Sequence, residues 1–80
     1  MTAALTVVAL GRAIRARRRE LGLSQQALAD RSGLHRTYVG GVERGQRNLS
    51  FENLVALAVA LDVRLSDLIA DAERHGERPR

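Results

Sequence analysis

LSQQALADRSGLHRTYVGGVERG, residues Leu23–Gly45, predicts two short helices joined by a tight turn. Ser24 is a residue type preferred as a helix N-cap, and it precedes a helical pattern over residues 25–32. Gly33 can adopt the left-handed backbone conformation that the turn requires. A second helix is expected over residues 36–44, because a glycine follows it as a stop signal. The pattern is that of a helix-turn-helix unit.

Three further helices are predicted around this unit, and no segment has the alternating pattern of a strand. Ser50 and Ser66 are the expected N-caps of the last two helices. The predicted helices are residues 6–21, 25–32, 36–44, 51–61 and 66–74. The side chains expected to form the interior are Leu10, Ile14, Leu21, Leu34, Val39, Val42, Phe51, Leu54, Leu57, Ala58 and Leu61. Residues 1–80 are therefore predicted to be a single compact all-α domain of five helices, with a frayed tail at 75–80.

The charge of the chain is concentrated in its first half. The net charge is +4, and residues 1–48 hold nine arginines against three acidic residues, whereas residues 49–80 hold four arginines against six acids. The positive field therefore lies on the helix-turn-helix half, as a module that binds a polyanion needs. Every basic side chain is arginine, which suits phosphate and guanine, although a GC-rich genome would give the same composition.

Several classes of protein are excluded by composition. There is no cysteine, and His35 and His75 are the only histidines, so no nucleophilic triad or metal-ligand spacing can be assembled. We expect no enzymatic activity, no metal and no cofactor. The apolar residues 3–10 precede the arginines, which is the reverse of a secretory signal, and no run is long enough to span a bilayer. A cytoplasmic location without membrane contact is expected.

The outward face of the second helix of the unit is the candidate reading surface. Val39 and Val42 point to one side of a helical wheel, while Arg36, Thr37, Gly40 and Arg44 fall on the other. The first turn of a recognition helix supplies base contacts, and arginine pairs with guanine in a bidentate manner. The predicted base contacts are His35, Arg36, Thr37 and Gly40.

Other residues of this segment are expected to contact the DNA backbone or to permit close packing. Ser24 and Gln25 begin a helix, where backbone amides attract phosphate, although Ser24 could serve as a cap alone. For Tyr38, a phosphate contact and packing on the preceding helix are both open. Gly40 and Gly41 cost helix stability, so they indicate close approach of the backbone to DNA or to the preceding helix, or a tolerated weakness.

Residues Leu10–Leu68 resemble the phage-repressor and Cro-like (XRE-type) helix-turn-helix family, in LGLSQQALADRSGL, in YVGGVERG and in an apolar helix after a polar loop. HRTYVGGVERGQRN resembles in particular the small controller proteins of restriction-modification systems. The resemblance implies a lambda-repressor-like fold and a protein that binds its own promoter region, activating at low occupancy and repressing at high occupancy. It implies base contacts from Arg36 and Thr37, and a buried ion pair between Arg18 and Glu43. The residues predicted to contact the DNA backbone are Ser24, Gln25, Tyr38, Arg44, Arg47 and Asn48.

The fourth helix is apolar on nearly all sides, which exceeds what one core face requires. Val55 and Val59 lie on a flank of this helix, and Ile69 is expected beside them. A second copy of the chain could cover these residues, although some exposed aliphatic surface is common in small domains. We expect a twofold dimer that presents two reading helices to adjacent turns of a palindrome.

The function that combines these features is that of a homodimeric, sequence-specific DNA-binding transcriptional regulator of the controller type. Its expected partners are double-stranded DNA and a second copy of itself, with RNA polymerase as a further candidate. Two alternatives are an antitoxin, which would bind its toxin through residues 2–8 or the tail from Glu73, and a stand-alone repressor.

Overall fold

The computed structural model describes residues 5–76, and this part of the chain folds into five α-helices without a strand. The helices are α1 (Val7–Glu20), α2 (Gln25–Ser32), α3 (Arg36–Glu43), α4 (Phe51–Ala60) and α5 (Leu65–Gly76). The expected all-α architecture with a helix-turn-helix at α2 and α3 is thus confirmed. None of the helices within residues 5–76 combines the length and the apolar character needed to cross a bilayer.

Local sequence signals set where most helices begin. The side-chain oxygens of Thr6, Ser24 and Ser50 accept hydrogen bonds from backbone N–H groups in the first turns of α1, α2 and α4, at 3.0–3.1 Å. Gly33 ends α2 with φ of 73°, in the left-handed region. A Cβ atom there would meet no atom within 4 Å, so backbone conformation rather than space requires glycine at this turn.

The prediction for α5 was wrong at its start. The helix begins at Leu65, so Ser66 is its second residue and not its N-cap. The Leu68 N–H donates to the Arg64 carbonyl at 3.0 Å, and the Leu68 side chain is fully buried. The helix α5 therefore begins one residue before the predicted range of 66–74, and the buried Leu68 lies in its first turn. The helix also includes His75 and Gly76, which were expected in the tail; residues 77–80 lie outside the described part.

The core lies between all five helices. Its largest fully buried side chains are Ile14, Leu28, Val39, Val42, Leu57, Leu61 and Leu68. Leu10, Leu21, Leu34 and Leu54 are partly buried and pack against this cluster. Phe51 was expected inside, but 68% of its surface is exposed. It is the first residue of α4 and lies beyond the part of the helix whose residues Leu57, Ala58 and Ala60 are buried.

Two arginines hold the C-terminal end of α4. The Arg17 Nε and Nη2 atoms donate to the carbonyls of Leu61 and Asp62, at 3.0 and 3.1 Å. Arg31 Nη1 donates to the Ala60 carbonyl at 3.2 Å. Since the last carbonyls of a helix lack partners within the helix, these guanidinium groups satisfy them. Arg17 and Arg31 thus join α1 and α2 to α4.

Candidate nucleic-acid interface

The N-terminal turn of α3 projects from the protein while the rest of the helix is packed into it. Val39 and Val42 are at most 1% exposed, whereas His35, Arg36 and Thr37 are exposed. The structure thus brings three of the four predicted base contacts together on an open surface. A short helix that is anchored on one side and open on the other has the form needed to enter a major groove.

Gly40, the fourth predicted base contact, is buried beneath two side chains. A Cβ atom at this position would lie 3.1 Å from Arg44 Nη1 and 3.5 Å from Gln25 Oε1. A base contact at Gly40 would therefore require Arg44 or Gln25 to move aside. At Gly41 a Cβ atom would lie 2.7 Å from Arg47 Cγ. The two glycines allow side chains from α2 and the following loop to lie directly on α3.

A buried ion pair joins α1 to the end of α3. Arg18 Nε donates to Glu43 Oε2 at 2.7 Å, and Arg18 Nη2 donates to Glu43 Oε1 at 3.0 Å. The third donor, Nη1, reaches the Leu23 carbonyl at 2.9 Å. The hydrogen bond to Glu43 raises the pKa of Arg18, burial opposes this rise, and the charge of Glu43 adds to it. The ion pair with Glu43 therefore favours the charged form of the guanidinium.

The residues expected to contact phosphate lie around α3, and several are also held within the protein. Gln25 Nε2 donates to Glu43 Oε1 at 3.1 Å, and Ser24 Oγ caps α2. Arg44 Nε donates to Gln46 Oε1 at 3.0 Å. Arg47 lies exposed on the loop after α3. These groups border the open face of α3, which is where contacts to a DNA backbone would fall.

Tyr38 connects α3 to the loop and to α4. Its hydroxyl donates to the Asn48 carbonyl at 2.9 Å and accepts from Asn53 Nδ2 at 3.2 Å. The sequence left a phosphate contact and packing on α2 open, and the structure gives the hydroxyl this third role. The Asn48 backbone is thereby fixed, while the residue itself is exposed.

Apolar side chains on α4 and α5 are exposed in part to solvent. Val59 is 73% exposed, while Val55 and Ile69 are half-buried. The exposed Phe51 is on the same helix as the two valines. The three residues predicted for a dimer interface are therefore accessible to a partner in the described part of the chain.

Sequence reasoning missed the contact that sets the distance between α1 and α3. Gly11 is buried in the middle of α1, and a Cβ atom there would lie 2.9 Å from the Glu43 carbonyl oxygen and closer still to that of Val42. An interior glycine that lowers helix stability was the available signal. The close approach places Arg18 within reach of Glu43.

The five-helix fold and the exposed start of α3 define a helix-turn-helix protein. The family model described as helix-turn-helix matches residues 14–68, and the chain belongs to this family. The control protein C.SmaI of Serratia marcescens is 46% identical over 56 residues, which are 70% of this chain and 67% of that protein. The predicted resemblance to restriction-modification controllers is confirmed.

Solved structures agree with this assignment. The restriction-modification controller protein C.AhdI from Aeromonas hydrophila is 53% identical, with a TM-score of 0.76 over 78% of this chain and 94% of that chain. The controller protein C.Esp1396I, solved as a tetramer in complex with its natural 35-base-pair operator, is 29% identical. Its TM-score is 0.83, over 90% of this chain and 95% of that chain.

Proposed function

We propose that this chain is a homodimeric, sequence-specific DNA-binding transcriptional regulator that acts as a restriction-modification controller at a palindromic operator. The observation that carries the proposal is the open N-terminal turn of α3, where Arg36 and Thr37 are exposed on a helix whose other side is buried. The role is one of binding, without enzymatic activity, and it belongs in the cytoplasm, where the operator lies.

Binding has two components in this proposal. Arg44, Arg47 and the start of α2 contact phosphates, which fixes the position of the protein but carries no sequence information. Arg36 then reads a base pair, because its planar guanidinium can donate to guanine O6 and N7 together. Thr37 contacts a thymine methyl or a phosphate beside it.

The dimer is supported by the accessible apolar side chains of Val55, Val59 and Ile69, which a second copy would cover. A twofold axis at this surface would present two α3 helices to half-sites one DNA turn apart. The operator-bound tetramer of C.Esp1396I supports assembly on DNA for this chain also.

Replacing Arg36 tests the reading role. Arg36→Ala is expected to lose about 1–3 kcal/mol of discrimination at one base pair of each half-site, because the bidentate contact is removed there. The measurement is a binding titration with the operator duplex and with duplexes that carry each single base-pair replacement.

Arg74→Ala is the matched control, since Arg74 is an exposed arginine of α5 that pairs with Asp71 on the same helix. It removes the same charge without touching α3 and should leave discrimination unchanged. If Arg36→Ala instead weakens every duplex by the same factor, Arg36 contacts the backbone and the assignment of base reader is wrong.

A further inference from the structure

The arginines of α1 fall into two groups. Arg17 and Arg18 are held by Leu61, Asp62, Glu43 and Leu23 within the protein. Arg12, Arg15 and Arg19 are exposed, and within residues 5–76 none of them takes part in an ion pair. These three residues are called the arginine face of α1.

Helical spacing places the arginine face beside the helix-turn-helix unit. Residues 12, 15 and 19 are three and four positions apart, so they lie on one side of α1 over about 10 Å. Gly11 and Arg18, which contact the end of α3, are seven residues apart and lie on the adjacent side of α1. The arginine face therefore adjoins the side of α1 that packs against α3.

Arg15 directly joins this face to the proposed DNA-binding residues. It lines one cleft together with Gln25, Glu43 and Arg44. Both oxygens of Glu43 accept hydrogen bonds from Arg18, which neutralises the only acidic group among these residues. The cleft is left with two guanidinium groups, from α1 and from the end of α3, and such a pair favours a phosphate group.

The folded protein alone gives little reason for this clustering. Arg15 and Arg19 are four residues apart, where like charges are destabilising. Arg19 gains some compensation from the C-terminal end of α1, but this effect falls off within the last turn and does not reach Arg12 or Arg15. An anionic partner would turn the repulsion into attraction.

We propose that the arginine face of α1 is a second DNA-backbone surface, which contacts phosphates flanking the bases that α3 reads, with the phosphate that Arg15 contacts lying next to those that Arg44 contacts. This inference deepens the proposed function and rests on it. The face carries affinity and salt dependence, while sequence discrimination stays with α3.

The test is the salt dependence of binding to the duplex that the full chain selects from a random-sequence pool. The slope of log K against log salt concentration is negative, and each lost phosphate contact reduces its magnitude by about 0.9. Arg15→Gln should reduce the magnitude of the slope by about one, and the triple variant Arg12→Gln, Arg15→Gln, Arg19→Gln should reduce it by about two to three. The ratio of affinities for selected and scrambled duplexes should remain as in the parent chain.

Arg74→Gln is the control for loss of one exposed positive charge and should leave the slope unchanged, with circular dichroism showing that each variant is folded. A triple variant whose slope equals that of the parent overturns the inference but leaves the proposed function standing, provided that the parent prefers its selected duplex. If the parent shows no such preference, the proposed function fails and the inference fails with it.

Discussion

At the scale of single residues, the surroundings of each arginine separate structural from binding roles. The Arg18 side chain is 11% exposed and donates three hydrogen bonds within the protein, to Glu43 and Leu23, whereas Arg36 is exposed on the open turn of α3. Sequence pattern alone does not distinguish them, because both are arginines on amphipathic helices. The resemblance to repressors predicted the Arg18–Glu43 pair. The hydrogen bond from Gln25 to Glu43 could not be predicted from the sequence, because it depends on how α1, α2 and α3 pack together.

Replacing one member of the Arg18–Glu43 pair should destabilise the fold strongly. Arg18→Met is expected to lower the free energy of unfolding by about 3–5 kcal/mol, because Glu43 would remain buried as an unpaired charge. The double variant Arg18→Met, Glu43→Met should be less destabilised than the sum of the two single variants, since no charge remains buried. Urea unfolding of the four proteins measures the coupling. Additive losses would show that the two side chains contribute independently.

At the scale of helices, local signals predicted most boundaries and long-range packing explains the exceptions. The caps at Ser24 and Ser50 and the turn at Gly33 were predicted because each acts within one turn of its own helix. Ser66 and Phe51 were misplaced because their positions depend on how α4 and α5 meet the other helices. The same limit applies to Tyr38, whose hydroxyl partners lie in the following loop and in α4.

Close packing and helix propensity predict opposite changes in the free energy of unfolding when Gly11 is replaced by alanine. By propensity alone, Gly11→Ala should stabilise α1 by about 1 kcal/mol. Because the new methyl group would press on the carbonyls of Val42 and Glu43, we expect a net loss of about 1–3 kcal/mol instead. Urea unfolding measures the change, and Ala16→Gly, at an exposed position of the same helix, calibrates the propensity effect. A Gly11→Ala protein more stable than the parent would refute the close packing of α1 on α3.

At the scale of the whole molecule, the reading surface and the apolar surface lie on different helices. The start of α3 is exposed, and Val59 on α4 is 73% exposed. In the proposed dimer, a second copy binds at α4 and α5, and the proposed base contacts come from α3. The hydrophobic excess of α4 was visible in the sequence, because one core face needs fewer apolar residues, but which valine is exposed depends on the packing of α4 against α2 and α5.

The central claim is that the open turn of α3 reads bases and that a symmetric pair presents it twice. Selection of bound duplexes from a random-sequence pool by the full chain, at moderate salt, tests this most directly. We expect a palindrome whose half-site centres lie about 10 base pairs apart, or about 34–36 Å. The Val59→Asp variant should sediment as a monomer, because the charge would disrupt the proposed dimer contact. The same selection with this variant should therefore yield duplexes that contain single half-sites. Recovery of no preferred sequence by the parent chain would contradict the account.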